Sequence, residues 1–224
     1  MAAAIGITVP FVFGGLRPEP PAPAAVVRFW VPGKVTIVEL SDFQCPFCRI
    51  LHPSLTEAIK SYGDKVRLIR LSVPLRSHPQ AKIAAKAYAC AKQMGHGEKM
   101  AHELFDTKDR SKEGCWAAAD KAELNPDRFA SCFDTEEGTE AMMRDVEVAR
   151  AITFKGLPTL WIGSKELIGA SSSDELRDVI DEQLTGAAVQ PLSIDQGWMW
   201  ELVSIILAGL FGATAIAEAK ERNA

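Results

Sequence analysis

The chain has 224 residues, which suits one domain of ordinary size with terminal appendages and a real hydrophobic core. Its formal net charge is −4 with both signs interspersed, which argues against a nucleic-acid surface or a polybasic membrane patch. Five cysteines are too few for a disulfide-dense mini-protein; Cys45 and Cys48 form a close pair that reads as chemistry, and Cys90, Cys115 and Cys132 read as structure.

In chain order, residues 1–15 are uncharged and mostly apolar, and residues 16–25 form a stiff Pro/Ala linker. The apolar run is read either as an export signal or as the tail of a longer membrane segment. A signal needs a positive charge ahead of the apolar run, whereas the first basic residue, Arg17, comes after it.

Residues 26–187 are expected to form the main domain. Val26–Trp30 and Val35–Leu40 are β-branched, apolar runs separated by Pro32-Gly33, predicting two strands joined by a turn. The second should be a central strand. It leads into Cys45, after which Leu51, Leu55, Ile59 and Tyr62 recur at helical spacing, with a kink expected at Pro53. Val66–Leu71 is a third strand, giving β-β-α-β.

From about 79 to 151 the chain is rich in Ala, Lys and Glu, and helical in period. Ile83, Ala87, Cys90 and Met94 share one face of the first helix, and Leu124-Asn125-Pro126 separates two later ones. Thr159–Ile162 and Leu167–Gly169 form a hairpin pattern around Gly163-Ser164-Lys165. A capping box, Ser172 to Glu175, opens a last helix that should bury Leu176, Val179, Ile180 and Leu184. The fold class is therefore α/β: a thioredoxin-type fold with a helical insertion between the βαβ half and the C-terminal hairpin-helix.

Residues 188–197 read as a linker, and residues 198–218 as a transmembrane or membrane-associated helix. Leu202–Ala217 carries no charge, Trp198 and Trp200 suit an interface, and Lys220 and Arg222 follow. The positive-inside rule then places the main domain outside the cytoplasm.

A Cys-x-x-Cys between a strand and a helix puts the first sulfur at the helix N-terminus, where unpaired N–H groups and the helix dipole stabilise a thiolate. Cys45 is thus expected to be the exposed nucleophile. Cys48, one turn further in, is placed to attack a mixed disulfide and release the product. Pro46 fits an early helical position, and Phe47 adds no charge. The competing reading of the pair is a zinc or copper site, for which the only nearby further ligand is His52. Glu39 sits in an apolar strand six residues before Cys45; buried there, its carboxyl would have a raised pKa and could shuttle the proton of Cys48. The alternative is a surface charge on an edge strand. Pro158 precedes a strand and is a candidate for a cis bond, which would offer the backbone of Leu157 as a short edge for substrate. The remaining histidines belong to no motif: His78 reads as a loop residue, His96 and His102 as surface or cap positions. Trp161 reads as core.

Ser41-Asp-Phe-Gln-Cys-Pro-Phe-Cys48, Pro74-Leu-Arg-Ser-His-Pro-Gln-Ala81 and Gly156-Leu-Pro-Thr-Leu-Trp-Ile-Gly163 together resemble the DsbA-like branch of the thioredoxin superfamily, over about Val26 to Leu184. The resemblance implies a protein disulfide oxidoreductase with Cys45 attacking, Cys48 resolving, Glu39 as buried acid and Pro158 as cis-proline, and Pro46, Phe47, Leu157 and Thr159 lining the substrate site. It implies exported proteins as substrates, no cofactor beyond the redox-active disulfide, and recharging by a membrane partner that is quinone-linked or a vitamin K epoxide reductase homologue, with the apolar start as the end of a fused module. The Pro-Phe dipeptide departs from the Pro-His of the strongest oxidases, so a reductase or isomerase is the nearest alternative. A metal-binding or chaperone-like module is the alternative of another class. Cys132 is expected in a structural disulfide. Some relatives have a bridge matching Cys90 to Cys132, whereas the hairpin around Leu124–Pro126 would bring Cys115 opposite Cys132.

Overall fold

The computed structural model describes residues 22–187. The expectations for residues 1–15, most of the 16–25 linker, and residues 188–197 and 198–218 lie outside the described residues. Among the described residues, no helix is long and apolar enough to cross a membrane.

One short helix, α1 (Ala24–Val27), precedes strand β1 (Val35–Ser41), helix α2 (Pro46–Lys60) and strand β2 (Val66–Ser72). Five helices follow: α3 (Ala81–Gln93), α4 (Gly97–Asp106), α5 (Lys112–Lys121), α6 (Pro126–Phe133) and α7 (Glu136–Arg150). Strands β3 (Thr159–Ile162) and β4 (Lys165–Ile168) and helix α8 (Ser173–Ala187) complete the unit. The sheet order is β2-β1-β3-β4, with β1 parallel to β2 and antiparallel to β3.

All seven residues of β1 are buried, as a central strand covered on both faces requires. Val35 and Ile37 point to one face, where Leu51 and Leu55 of α2 and Leu176 and Ile180 of α8 pack. Val38 and Leu40 point to the other, against Val26, Leu71, Ala149 and Ile152. Each such buried aliphatic side chain contributes about 1.5–3 kcal/mol, so the strand is held from both sides. By the same alternation Glu39 lies on the α2 face.

Three expectations need correction. Val26–Trp30 is not a strand: Ala24–Val27 is helical and the turn continues through Phe29 N–H to Val26 O and Trp30 N–H to Val27 O. Both edges of β1 are taken by β2 and β3, so no ladder is open to this segment there. Val26, Phe29 and Trp30 instead pack at helical spacing onto the sheet. The leading half is therefore β-α-β. The linker also ends earlier than Ala25, because Ala22 is already buried in that cluster. In the hairpin, β4 starts at Lys165, two residues sooner than expected, because Gly163 adopts a left-handed φ of 55° and Gly163-Ser164 suffice for the turn.

Helix α2 runs on through Pro53, which lies on its exposed side, away from the buried Leu51 and Leu55. Asn125 caps α6 by accepting the Arg128 N–H, with Pro126 next, which explains the break after α5. At α8 the capping box is formed in both directions: Glu175 N–H donates to Ser172 Oγ and Ser172 N–H donates to the Glu175 carboxylate.

Cys132 is bridged to Cys90, tying α6 to α3 with Cα atoms 5.8 Å apart. Cys115 is a free thiol, buried beside the Arg110 carbonyl, and burial raises its pKa to about 12. The bridge spans 42 residues of chain, so its loss should cost about 4 kcal/mol from loop-closure entropy of the unfolded state. Cys90→Ala/Cys132→Ala should show that deficit in urea unfolding, and Cys115→Ala only the smaller deficit of a truncated core side chain. A double variant within 1 kcal/mol of the parent would contradict this role of the bridge.

Candidate active site

Cys45 occupies the N-cap of α2, in extended conformation, with Pro46 as the first helical residue. The turn leading to it is fastened by Asp42, buried at the end of β1. One carboxylate oxygen of Asp42 accepts the Gln44 N–H at 2.7 Å; the other accepts the Leu75 N–H at 2.8 Å and faces His78 Nδ1 at 2.9 Å. The Cys45 N–H donates to the Asp42 carbonyl. Gln44 Oε1 accepts the Gln80 N–H, pinning the segment before α3 to the same turn. His78 is thus more than a loop residue.

Cys45 is more covered than expected. Its exposure is 6 %, against 0 % for Cys48, so the first sulfur is the reachable one by a narrow margin. What covers it on one side is the loop before β3: the thiol lies 3.7 Å from the Leu157 carbonyl, and the Leu157–Pro158 bond is cis. Thr159 is fully buried, its hydroxyl donating to the Gly156 carbonyl, and so braces this loop from within. Pro46 and Phe47 lie on the outside, and with Ile50 the exposed Phe47 forms an apolar rim.

Cys48 faces the interior. Burial pushes its thiol well above the ordinary value; a backbone hydrogen bond at Asp42 opposes the rise, and the charges of Cys45 and Glu39 add smaller upward contributions. An ionised Cys48 is therefore costly, so the sulfur needs a nearby base to take its proton when it attacks and a nearby acid to return one when it leaves.

Glu39 is fully buried on the inner strand β1, so the edge-strand alternative does not hold. It is not alone. Directly opposite it on β2, in register, stands Arg70, also fully buried, whose Nε donates to Glu39 Oε2 at 2.8 Å. Arg70 Nη1 donates to both carboxylate oxygens of Glu98 at 2.7 and 2.8 Å, and Nη2 lies 3.3 Å from Nδ1 of the buried His52. Glu39 Oε1 is buried without a hydrogen-bond partner. Burial raises the Glu39 pKa, Arg70 opposes the rise, and Glu98 adds to it. Burial, followed by the Arg70 charge, lowers His52 to about 3, so its ring is neutral.

Arg70, Asp42 and Glu98 were not singled out from the sequence. Arg70 carries the clearest overlooked signal, a charge in an apolar strand that parallel pairing sets beside Glu39. Among the described residues, no group of three His, Cys, Asp or Glu side chains is arranged to hold a metal ion. His52 is turned toward Arg70.

The family description "Thioredoxin" matches residues 32–182. The chain belongs to the thioredoxin family. Its fold is similar to that of the thiol-disulfide exchange protein alpha-DsbA2 from Wolbachia pipientis, with a TM-score of 0.59 at 17% identity over 71% of this chain and 90% of that one. A segment similar to this chain occurs in the Na(+)/H(+) antiporter NhaA 3 of Salinispora tropica, 27% identical over 159 residues that cover 70% of this chain and 24% of that protein. The chain spans about a quarter of the length of the antiporter-named relatives it matches. It is 21% identical to disulfide bond formation protein D of Bacillus subtilis, covering 68% of this chain and 73% of that one. Among solved structures, a periplasmic thioredoxin-like protein from Salmonella enterica serovar Typhimurium superposes with a TM-score of 0.59 at 24% identity, over 72% of this chain and 95% of that one.

Proposed function

We propose that this thioredoxin-family chain is a thiol–disulfide oxidoreductase that oxidises exported proteins by exchange through Cys45 and Cys48. The observation that carries the reading is the graded burial of the two sulfurs at one helix start. Cys45 caps α2 beside the Leu157 carbonyl, and Cys48 is sealed on the side of the buried Glu39–Arg70 pair.

In the oxidising direction a substrate thiolate attacks Cys45 Sγ of the Cys45–Cys48 disulfide. The Cys45–Cys48 bond breaks, and the Cys48 thiolate leaves and takes a proton from Glu39. A second substrate thiolate then attacks the substrate sulfur of the mixed disulfide, expelling the Cys45 thiolate and closing the substrate disulfide. Recharging runs the same steps in reverse against the disulfide of a partner, with Glu39 accepting the Cys48 proton. No cofactor beyond the two sulfurs is needed. The backbone at Leu157, and the apolar rim of Pro46 and Phe47, would receive an extended, unfolded segment of substrate. Thr159, buried and paired on both sides within the sheet, supports that loop from beneath and, contrary to expectation, does not line the substrate site.

The extracytoplasmic, periplasm-facing setting and the membrane anchor belong to this proposal, as does a membrane redox partner, quinone-linked or of the vitamin K epoxide reductase type. Supporting them are the similarity to a periplasmic thioredoxin-like protein of Salmonella and to segments of relatives named as Na(+)/H(+) antiporters.

Equilibration of the protein in glutathione buffers, with thiol alkylation as readout, tests the reading. The Cys45–Cys48 pair should titrate as one two-electron couple at or above the glutathione potential; for such a couple about 30 mV corresponds to about 1.4 kcal/mol. A much lower potential would assign the chain to reduction, and failure of the pair to exchange with glutathione at all would overturn the oxidoreductase reading.

A further inference from the structure

The buried guanidinium of Arg70 serves two carboxylates unequally. Glu98, on α4 of the helical insertion and with its side chain 55 % exposed, takes both hydrogen bonds from Nη1. Glu39, fully buried, keeps only the contact with Nε through Oε2. Nη2 is directed to His52. Each of the three Arg70 side-chain nitrogens thereby has a partner in reach, and Glu39 Oε1 has no hydrogen-bond partner.

Resting on the oxidoreductase reading above, we infer that Glu98 is a positioning residue for the step at Cys48: as a second carboxylate on Arg70 it shares that cation's charge, and so keeps Glu39 basic enough to exchange a proton with the Cys48 thiol. The residue acts through Arg70 and touches neither sulfur nor substrate.

Three considerations support this. Glu39 has a single charge-assisted bond from Arg70 where Glu98 has two, and a carboxylate held by one such bond stays the stronger base. A second negative charge on the same cation also dilutes its pull on Glu39, the direction in which Glu98 acts on the Glu39 pKa. The groups facing the Glu39–Arg70 pair are otherwise few. Ser41 comes from β1 itself, Cys48 and His52 from α2, Tyr88 and Lys92 from α3, and Glu98 from α4. His52 stays neutral, and Lys92 is drawn to Asp145 at 2.8 Å, leaving Glu98 as the negative charge in direct contact with Arg70 besides Glu39.

The test uses the reduced full chain and the chromogenic aryl disulfide dithiobis(nitrobenzoate), followed by stopped-flow across pH. Attack by Cys45 releases one nitrothiobenzoate and leaves the other as a mixed disulfide. Cys48, giving its proton to Glu39, then attacks Cys45 Sγ, forming the Cys45–Cys48 disulfide and releasing the second. Glu98→Gln keeps a polar side chain at Nη1 but removes the charge. It should move the acid limb of the second release down by at least about half a pH unit, roughly a threefold rate change on the limb, and leave the first release unchanged. In a Glu39→Gln background the same substitution should produce no shift. Glu103→Gln, on the same helix but facing Lys121, should leave both phases as in the parent. A merely structural Glu98 would alter the unfolding midpoint without moving the limb. An unmoved limb, a second phase without an acid limb in the parent, or a shift that persists without Glu39 would each overturn the inference. Absence of the first release in the parent would instead overturn the oxidoreductase reading itself.

Discussion

Cys48→Ser should convert the protein into a trap: mixed disulfides between Cys45 and substrate proteins should accumulate and survive non-reducing electrophoresis. Cys45→Ser should instead abolish exchange, with at least about a hundredfold fewer adducts. The asymmetry follows from position. Cys45 caps α2 at the helix N-terminus and is the only one of the two with any exposed surface. Cys48 is fully covered, and its burial holds the thiol protonated. Equal adduct yields from the two single variants would mean that the loop at Leu157–Pro158 does not select between the sulfurs, and the assignment of attacker and resolver would fall.

Arg70→Met should be the most damaging single change to stability away from the sulfurs. It removes the one cation that compensates Glu39 and leaves a carboxylate uncompensated inside the sheet, a change that costs about 3–5 kcal/mol. The pH dependence has a definite sign. Burial has raised the Glu39 pKa above its unfolded value, so this carboxyl weakens the fold as pH rises through its folded pKa. The penalty is absent below the unfolded pKa, where both states are neutral. Arg70 limits that penalty, and without it the loss should deepen. Urea unfolding of Arg70→Met should therefore show a larger deficit near neutral pH than near pH ~4, the ordinary carboxylate range. A deficit below about 1 kcal/mol at neutral pH, or one independent of pH, would mean that Glu39 is not held by Arg70 in the way the 2.8 Å contact indicates.

Most of the site was legible in the linear chain because its parts are local. Cys45, Pro46 and Cys48 announce a helix start after a strand, Asn125-Pro126 and Ser172 to Glu175 announce helix ends, and Pro158 stands just before a strand; these signals depend on a few adjacent residues. The α/β class, the helical insertion and the roles expected of the two sulfurs follow from them. Glu39 was visible too, as a charge where the strand period demands an apolar side chain.

What tertiary structure alone decided involves partners far apart in the chain. Whether Val26–Trp30 is strand or helix depends on what it packs against: as a helical turn it lays Val26, Phe29 and Trp30 on Val38, Leu40 and Leu71 of the sheet, and the outer edge of β2 stays unpaired among the described residues. The choice of Cys90 over Cys115 as the partner of Cys132 depends on how α3 packs against α6, which helical periodicity within either segment does not encode. Arg70 meets Glu39 through strand register, and Glu98 reaches Arg70 only because α4 folds back over β2. Local periodicity specifies which face of an element is apolar, but not which charge on another element will stand within 3 Å of it. That is settled when the whole core closes and each buried charge must find its counter-charge.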